Sequence, residues 1–135
     1  MAYIIMADDH EMVRRVMSRL LRKIPEVKNQ GIEIVSAEDG QQALDHYLTD
    51  PASRRLVVTD RQMPVMNGYD FATKVRENDQ DVPIIMVSGG MLYDDEKLAY
   101  EIGINRVFSK PYDIHEFTST LNDYLTLDDK VEQPL

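Results

Sequence analysis

The stretch Ile4-Ile5-Met6-Ala7-Asp8-Asp9-His10, IIMADDH, stands almost at the start of the 135-residue chain. A short continuous apolar run of this kind reads as a strand covered on both faces, the habit of a parallel sheet. Its end is the odd part. Two adjacent carboxylates repel each other, and a strand end has no intrinsic need of them. A cation shared between them supplies a reason, and the rest of its site must then come from elsewhere in the chain.

Four more short apolar runs succeed it, at residues 32–37, 56–59, 83–87 and 106–108, with helical spacing between them. Val13, Val16, Met17, Leu20, Leu21 and Ile24 make one apolar stripe on a first helix, and Pro25 ends it. Ala43, Leu44, Tyr47 and Leu48 mark a second helix, closed by Asp50-Pro51. Phe71, Ala72 and Val75 mark a third, and Leu98, Ala99 and Ile102, closed by Gly103, a fourth. Ile114, Phe117, Leu121, Tyr124 and Leu125 give the fifth. Such a (βα)5 series predicts an α/β, doubly wound fold: a five-stranded parallel sheet with right-handed crossovers and helices on both faces. Residues 1–125 are expected to form one domain. The tail TLDDKVEQPL, residues 126–135, is polar and acidic and is expected to be flexible.

Composition excludes several classes of function. A net charge of −9 and a pI near 4.7 argue against direct nucleic-acid binding. The charge is uneven: residues 11–24 carry +4 and the remainder −13. That basic helix is by default a solvated face. The sharper reading makes Arg14, Arg15 and Arg19 a docking surface for an acidic partner. No apolar run approaches the ~20 residues of a membrane span, and the N-terminus is unlike a signal peptide. The chain has no cysteine, so it carries no disulfide framework. The expected location is cytoplasmic.

Parallel strands end at one edge, where ligands of such sheets bind. Asp8 and Asp9 come after the first run, Asp60 after the third, Ser88 after the fourth, and Lys110-Pro111 after the fifth. The second ends in Glu38-Asp39-Gly40, an ordinary turn. Three carboxylates, one hydroxyl and one ammonium therefore gather on a single edge. Acids packed this closely stay ionised together only with a cation among them. All-oxygen donors select a hard ion, and a sparse protein donor set suits Mg2+, with Mn2+ a second fit. The same edge suits a phosphoryl group: Lys110 can pair with one oxygen and Ser88 can donate to another. A carboxylate can also be the nucleophile, forming an aspartyl phosphate.

Plainer readings exist for each residue. Asp8 or Asp9 is a favoured helix cap. Asp60 can open a turn running through Asn67-Gly68, although Met63-Pro64-Val65-Met66 puts more apolar weight there than a surface turn needs. Ser88-Gly89-Gly90 can be a flexible connection. His10 lies beside the acid pair and could tune access to it. His46 and His115 have no metal-like grouping.

Together these motifs carry a resemblance. Asp8-Asp9, VVTDRQMPVMNGYD around Asp60, VSGG at Ser88 and FSKPYD at Lys110 resemble the receiver domain of bacterial response regulators over about residues 1–125. DRQMPVMNG has every fixed position of that family's D-x-x-M-P-x-M-[DN]-G. The resemblance implies a flavodoxin-like strand order, 2-1-3-4-5. It makes Asp60 the phosphoacceptor, Asp9 and Asp60 direct Mg2+ ligands with the backbone carbonyl of Gln62, and Asp8 a ligand through water. It makes Ser88 the switch hydroxyl and Lys110 the phosphate ligand, with a cis bond to Pro111. Gln62 and Gly90 fall where the family modulates hydrolysis of the acyl phosphate.

By the same resemblance the donor is a histidine kinase or histidine phosphotransfer protein, met through the first helix. The output is a downstream effector, and the chain is a monomer or a weak phosphorylation-dependent dimer, a phosphoacceptor rather than a dedicated enzyme. It begins Met-Ala just before the first strand, which favours a stand-alone regulator over a receiver cut from a longer protein. Two rivals stay in view. A degenerate receiver acting as a phosphorylation-independent module would have lost an acid or the lysine. An aspartyl-nucleophile phosphatase would carry D-x-D where this chain has Asp60-Arg61-Gln62. One position departs from the family: Val107 stands where many receivers have a rotating Tyr or Phe. Phe108 comes next and should face the opposite side of the sheet, which implies weaker or differently routed coupling.

Overall fold

The computed structural model describes residues 2–50, 52–90 and 93–132. In chain order the elements are β1 (Tyr3–Ala7), α1 (Glu11–Arg22), α2 (Pro25–Gln30), β2 (Glu33–Ala37), α3 (Gly40–Thr49) and β3 (Arg54–Asp60), followed by α4 (Gly68–Asn78), β4 (Ile84–Gly89), α5 (Tyr93–Ile102), β5 (Arg106–Lys110) and α6 (Ile114–Glu132). The strands form one parallel sheet in the order β2-β1-β3-β4-β5. This is the doubly wound parallel sheet expected from the alternation, in the flavodoxin-like order that the resemblance implied.

Strand alternation sorts the core into two layers. Ile4, Met6, Leu56, Val58, Ile85, Val87 and Phe108 pack against α1, α2 and α6. Ile5, Ala7, Val57, Ile84 and Met86 pack on the other face, against α3, α4 and α5. Phe71 and Phe117 are fully buried, one in each layer, and burial of a side chain of this kind contributes about 1.5–3 kcal/mol. Phe108 meets Phe117 edge to face at 5.1 Å, while Val107 packs on the opposite layer. The two neighbours therefore do point to opposite sides of the sheet.

Four sequence expectations need correction. Pro25 does close the first helix, but it also opens a short one, α2, from its N1 position. Proline is tolerated there because the first-turn N–H has no helical partner anyway. Gly31, at φ +64°, ends α2. Val16 is 59% exposed rather than part of the core; it lies on a flank of α1 beside Met12, off the buried line of Met17 and Leu21. Glu38-Asp39-Gly40 is more than a turn, since Asp39 caps α3 by accepting from the Gln42 N–H at 2.8 Å. Finally, α6 runs on to Glu132, so residues 126–132 are helical; the tail has no helix breaker before Pro134. Pro51, expected to help stop the second helix, and residues 133–135 of the expected tail lie outside the described residues.

Candidate functional site

Register builds the site. Ala7 is paired with Thr59, Asp60 with Val87, and Gly89 with Lys110. Asp8 thus stands level with Asp60 on the neighbouring strand, and Lys110 lies two strands beyond Asp60. By alternation Asp8, Asp60 and Lys110 continue the series of Met6, Val58 and Phe108, which belong to the α1/α6 face. The three side chains line one crevice over that layer. Asp8 is 6% exposed. The Lys110 ammonium stands 4.0 Å from Asp8 Oδ2.

Asp8, Asp9 and His10 form a tight cluster in which each can offer one ligand atom within 4.8 Å of the others. His10, not either aspartate, is the N-cap residue of α1, and its side chain makes no capping bond. Asp8 Oδ1 instead accepts from the His10 backbone N–H at 2.8 Å, a tight local turn. His10 Nδ1 lies 3.1 Å from Asp9 Oδ1 and 3.4 Å from Asp8 Oδ1. Neither aspartate is the N-cap of α1, and Asp8, held by the His10 N–H, lines the crevice instead.

Asp60 ends β3, partly exposed, with Oδ1 accepting from the Arg61 N–H at 2.8 Å. Burial holds its carboxyl above the ordinary value, and Asp8 pushes it further in the same direction. The Arg61 N–H and Lys110 pull it down without cancelling those effects, and Asp9 adds a smaller push upward. The site thus carries more negative charge than its one ammonium offsets. Such a donor set fits a hard divalent cation.

The loop after Asp60 is folded back on the acid. Gly68 N–H donates to Arg61 C=O at 2.8 Å, and a Cβ at Gly68 would collide with the backbone oxygen of Asp60. Asn67 caps α4 by accepting from the Asp70 N–H at 2.9 Å. Asn67-Gly68 therefore starts a helix rather than a plain turn. Met63 and Met66 pack against the α3–α5 layer, which accounts for the apolar weight of this loop. Val65 at its tip is 80% exposed with φ +68°.

A family model described as the response regulator receiver domain matches residues 4–122. The chain belongs to that family. It is 30% identical over 127 residues to a probable transcriptional regulator, ycf27, of Porphyridium aerugineum, covering 94% of this chain and 49% of the relative. The chain thus spans about half the length of that relative. A response regulator receiver domain protein of Clostridium thermocellum superposes with TM-score 0.82 at 20% identity, over 97% of this chain and 99% of that one. Chemotaxis protein CheY4 of Vibrio cholerae superposes with TM-score 0.75 at 24% identity, over 92% and 98%. Those two likenesses speak to the fold.

Within this receiver the expected residues fall into two groups. Asp8, Asp9, Asp60 and Lys110 converge at the β1, β3 and β5 ends, and the Lys110–Pro111 bond is cis. Ser88 is 4% exposed at the end of β4, one alternation step out of phase with Asp60, and its hydroxyl donates to Gly89 C=O at 3.2 Å. Gln62 is exposed in the loop after Asp60, and Gly90 has φ +65° with open space where a side chain would be. Among the basic residues Arg14 is turned inward: its side chain is only 15% exposed and Nη1 donates to Asp8 C=O at 2.8 Å. It is tied to the β1 end, whereas Arg15 and Arg19 are exposed.

One residue of this neighbourhood was missed. Arg61 reads in sequence as a loop cation, yet its side chain is 14% exposed and pairs with Asp95 at 2.9 Å. The only sequence signal was the D-x-x frame itself, which leaves that position open.

Proposed function

We propose that this receiver accepts a phosphoryl group on Asp60 from a phosphohistidine donor and, so modified, controls a downstream partner. The observation that carries the proposal is the shared crevice of Asp8, Asp60 and Lys110, which sets a carboxylate nucleophile beside an ammonium. An Asp60 oxygen attacks phosphorus as the bond to the donor imidazole breaks, and the bonding pair leaves with the imidazole. Lys110 pairs with a phosphoryl oxygen. Ser88 leaves Gly89 C=O to donate to another oxygen, and that move shifts a two-state equilibrium. Mg2+, or Mn2+ in its place, supplies charge neutralisation when bound, with Asp9, Asp60 and the Gln62 carbonyl as direct ligands and Asp8 through water. Gln62 and Gly90 set how freely water reaches the acyl phosphate.

The donor is a histidine kinase or histidine phosphotransfer protein, and donor and chain meet in the cytoplasm. Among the described residues no helix is long and apolar enough to cross a membrane. Docking through the first helix has support in two features. Met12 and Val16 are 68% and 59% exposed on one flank of α1, and Ile114, 59% exposed, begins α6 across a groove lined by Leu20, Lys23 and Ile24. Arg15 and Arg19 lie on the outward side of the same helix. An apolar strip with a basic border suits an acidic helical partner.

The test is mass spectrometry after incubation with acetyl phosphate and Mg2+. One phosphoryl group is expected on the wild type and none on Asp60→Asn. An equal mass gain in the variant defeats the assignment.

A further inference from the structure

Arg61 is the residue directly after the candidate acceptor, and its guanidinium makes contacts that bridge two segments. Nη1 lies 2.9 Å from Asp95 Oδ2, in the first turn of α5. Nη2 donates to Gly89 C=O at 3.4 Å. Tyr69 Oη, from α4, donates to Asp95 C=O at 3.0 Å and so braces the same turn. At its other end Arg61 is tied to the acceptor, because its N–H donates to Asp60 Oδ1 at 2.8 Å. A largely covered cation is costly to place unless it is paired, and here Asp95 pairs it.

Gly89 C=O is the hinge of this arrangement. It accepts from Ser88 Oγ at 3.2 Å as well as from Arg61 Nη2. If Ser88 turns away toward an occupied Asp60, the Arg61 contact can shorten from its present long value, and the pull reaches α5 through Asp95. Val107 offers no comparable path: it is a short β-branched side chain with a stiff χ1, packed on the α3–α5 layer.

We propose that Arg61 is a positioning residue that couples the state of Asp60 to the first turn of α5 through its ion pair with Asp95. This rests on the reading of Asp60 as acceptor and Ser88 as switch hydroxyl. Arg61 itself takes no part in the chemistry.

The experiment is a titration with beryllofluoride and Mg2+ monitored by amide NMR, on the wild type, Asp95→Asn and Asp95→Glu. The Asp95 side chain is 35% exposed, both variants are expected to fold, and dispersed spectra verify it. In the wild type, shifts are expected near Asp9 and Asp60 and also along residues 95–98. In Asp95→Asn the site shifts should remain, with affinity within about threefold of wild type, while those of α5 fall by at least half. Asp95→Glu, which keeps the charge, should recover most of them. Wild-type-sized α5 shifts in Asp95→Asn overturn the coupling while leaving the acceptor reading intact. Absence of any response in the wild type overturns the acceptor reading, and the coupling with it.

Discussion

Lys110 Nζ lies 4.0 Å from Asp8 Oδ2, although β1 and β5 are separated in the sheet by β3 and β4. Three inter-strand steps are roughly 14 Å of sheet, so the contact exists only because the long lysine stem reaches inward over the strand ends. The ammonium is thereby delivered to the carboxylate side of the crevice. Lys110→Met keeps the stem and removes the charge. Phosphorylation by acetyl phosphate is expected to slow about 100-fold, the usual scale for deleting one preorganised charge partner. An unchanged rate by mass spectrometry would place the phosphoryl group elsewhere.

The raised carboxyl of Asp60 has a consequence for stability. An acid that binds its proton more tightly in the folded state contributes fully below the ordinary carboxylate range, near pH 4. That contribution is lost as pH rises through the raised value. In EDTA, Asp60→Asn should therefore be more stable than wild type at pH 7. The difference should close as pH falls toward 4. Mg2+ at ten times its Kd should favour the wild type by about 1.4 kcal/mol. Urea unfolding at the two pH values, with and without the ion, reads all three effects.

Gly68 sits where a side chain has no room, under the backbone oxygen of Asp60 and 3.1 Å from Arg61 Cα at its would-be Cβ. Gly68→Ala must push the acceptor loop away from α4. We expect a stability loss of about 1–3 kcal/mol together with slower phosphorylation at Asp60. A variant with wild-type urea midpoint and wild-type labelling rate would show that the loop yields at no cost.

Val65 is a β-branched residue in the left-handed region, φ +68°. That conformation costs an L residue roughly 1–2 kcal/mol, and glycine there adds back roughly 0.5–1 kcal/mol of chain entropy. Val65→Gly should accordingly gain up to about 1.5 kcal/mol in urea unfolding. Because Val65 is exposed, no packing is lost to obscure the result. A destabilised variant would mean that the valine makes a compensating contact.

Val16 separates docking from chemistry. Its exposure leaves the crevice untouched, so Val16→Glu should label with acetyl phosphate at the wild-type rate. Transfer from a phosphorylated histidine donor should fall about tenfold, the loss of burying one such side chain. Arg15→Glu and Arg19→Glu should also slow transfer and flatten its dependence on ionic strength. Equal slowing with both phosphodonors would move Val16 out of the docking face.

Continuous apolar runs alternating with helical stripes admit few packings besides this layered fold, and the residues just past those runs put Asp8, Asp9, Asp60, Ser88 and Lys110 at strand ends. These signals are local: periodicity, breakers and the residues just past the end of each run. Which cations are consumed is settled instead by contacts that form only in the folded chain. Arg14 and Arg61 look alike as loop or helix charges, yet one donates to Asp8 C=O and the other pairs with Asp95, 34 positions later in the chain. Val16 belongs to the stripe by spacing but not by burial, because the sheet covers less of α1 than a helical period can reveal. The strained loop at Val65, the space denied at Gly68 and the donors shared by Gly89 C=O arise between segments distant in sequence, and no pattern within one segment encodes them.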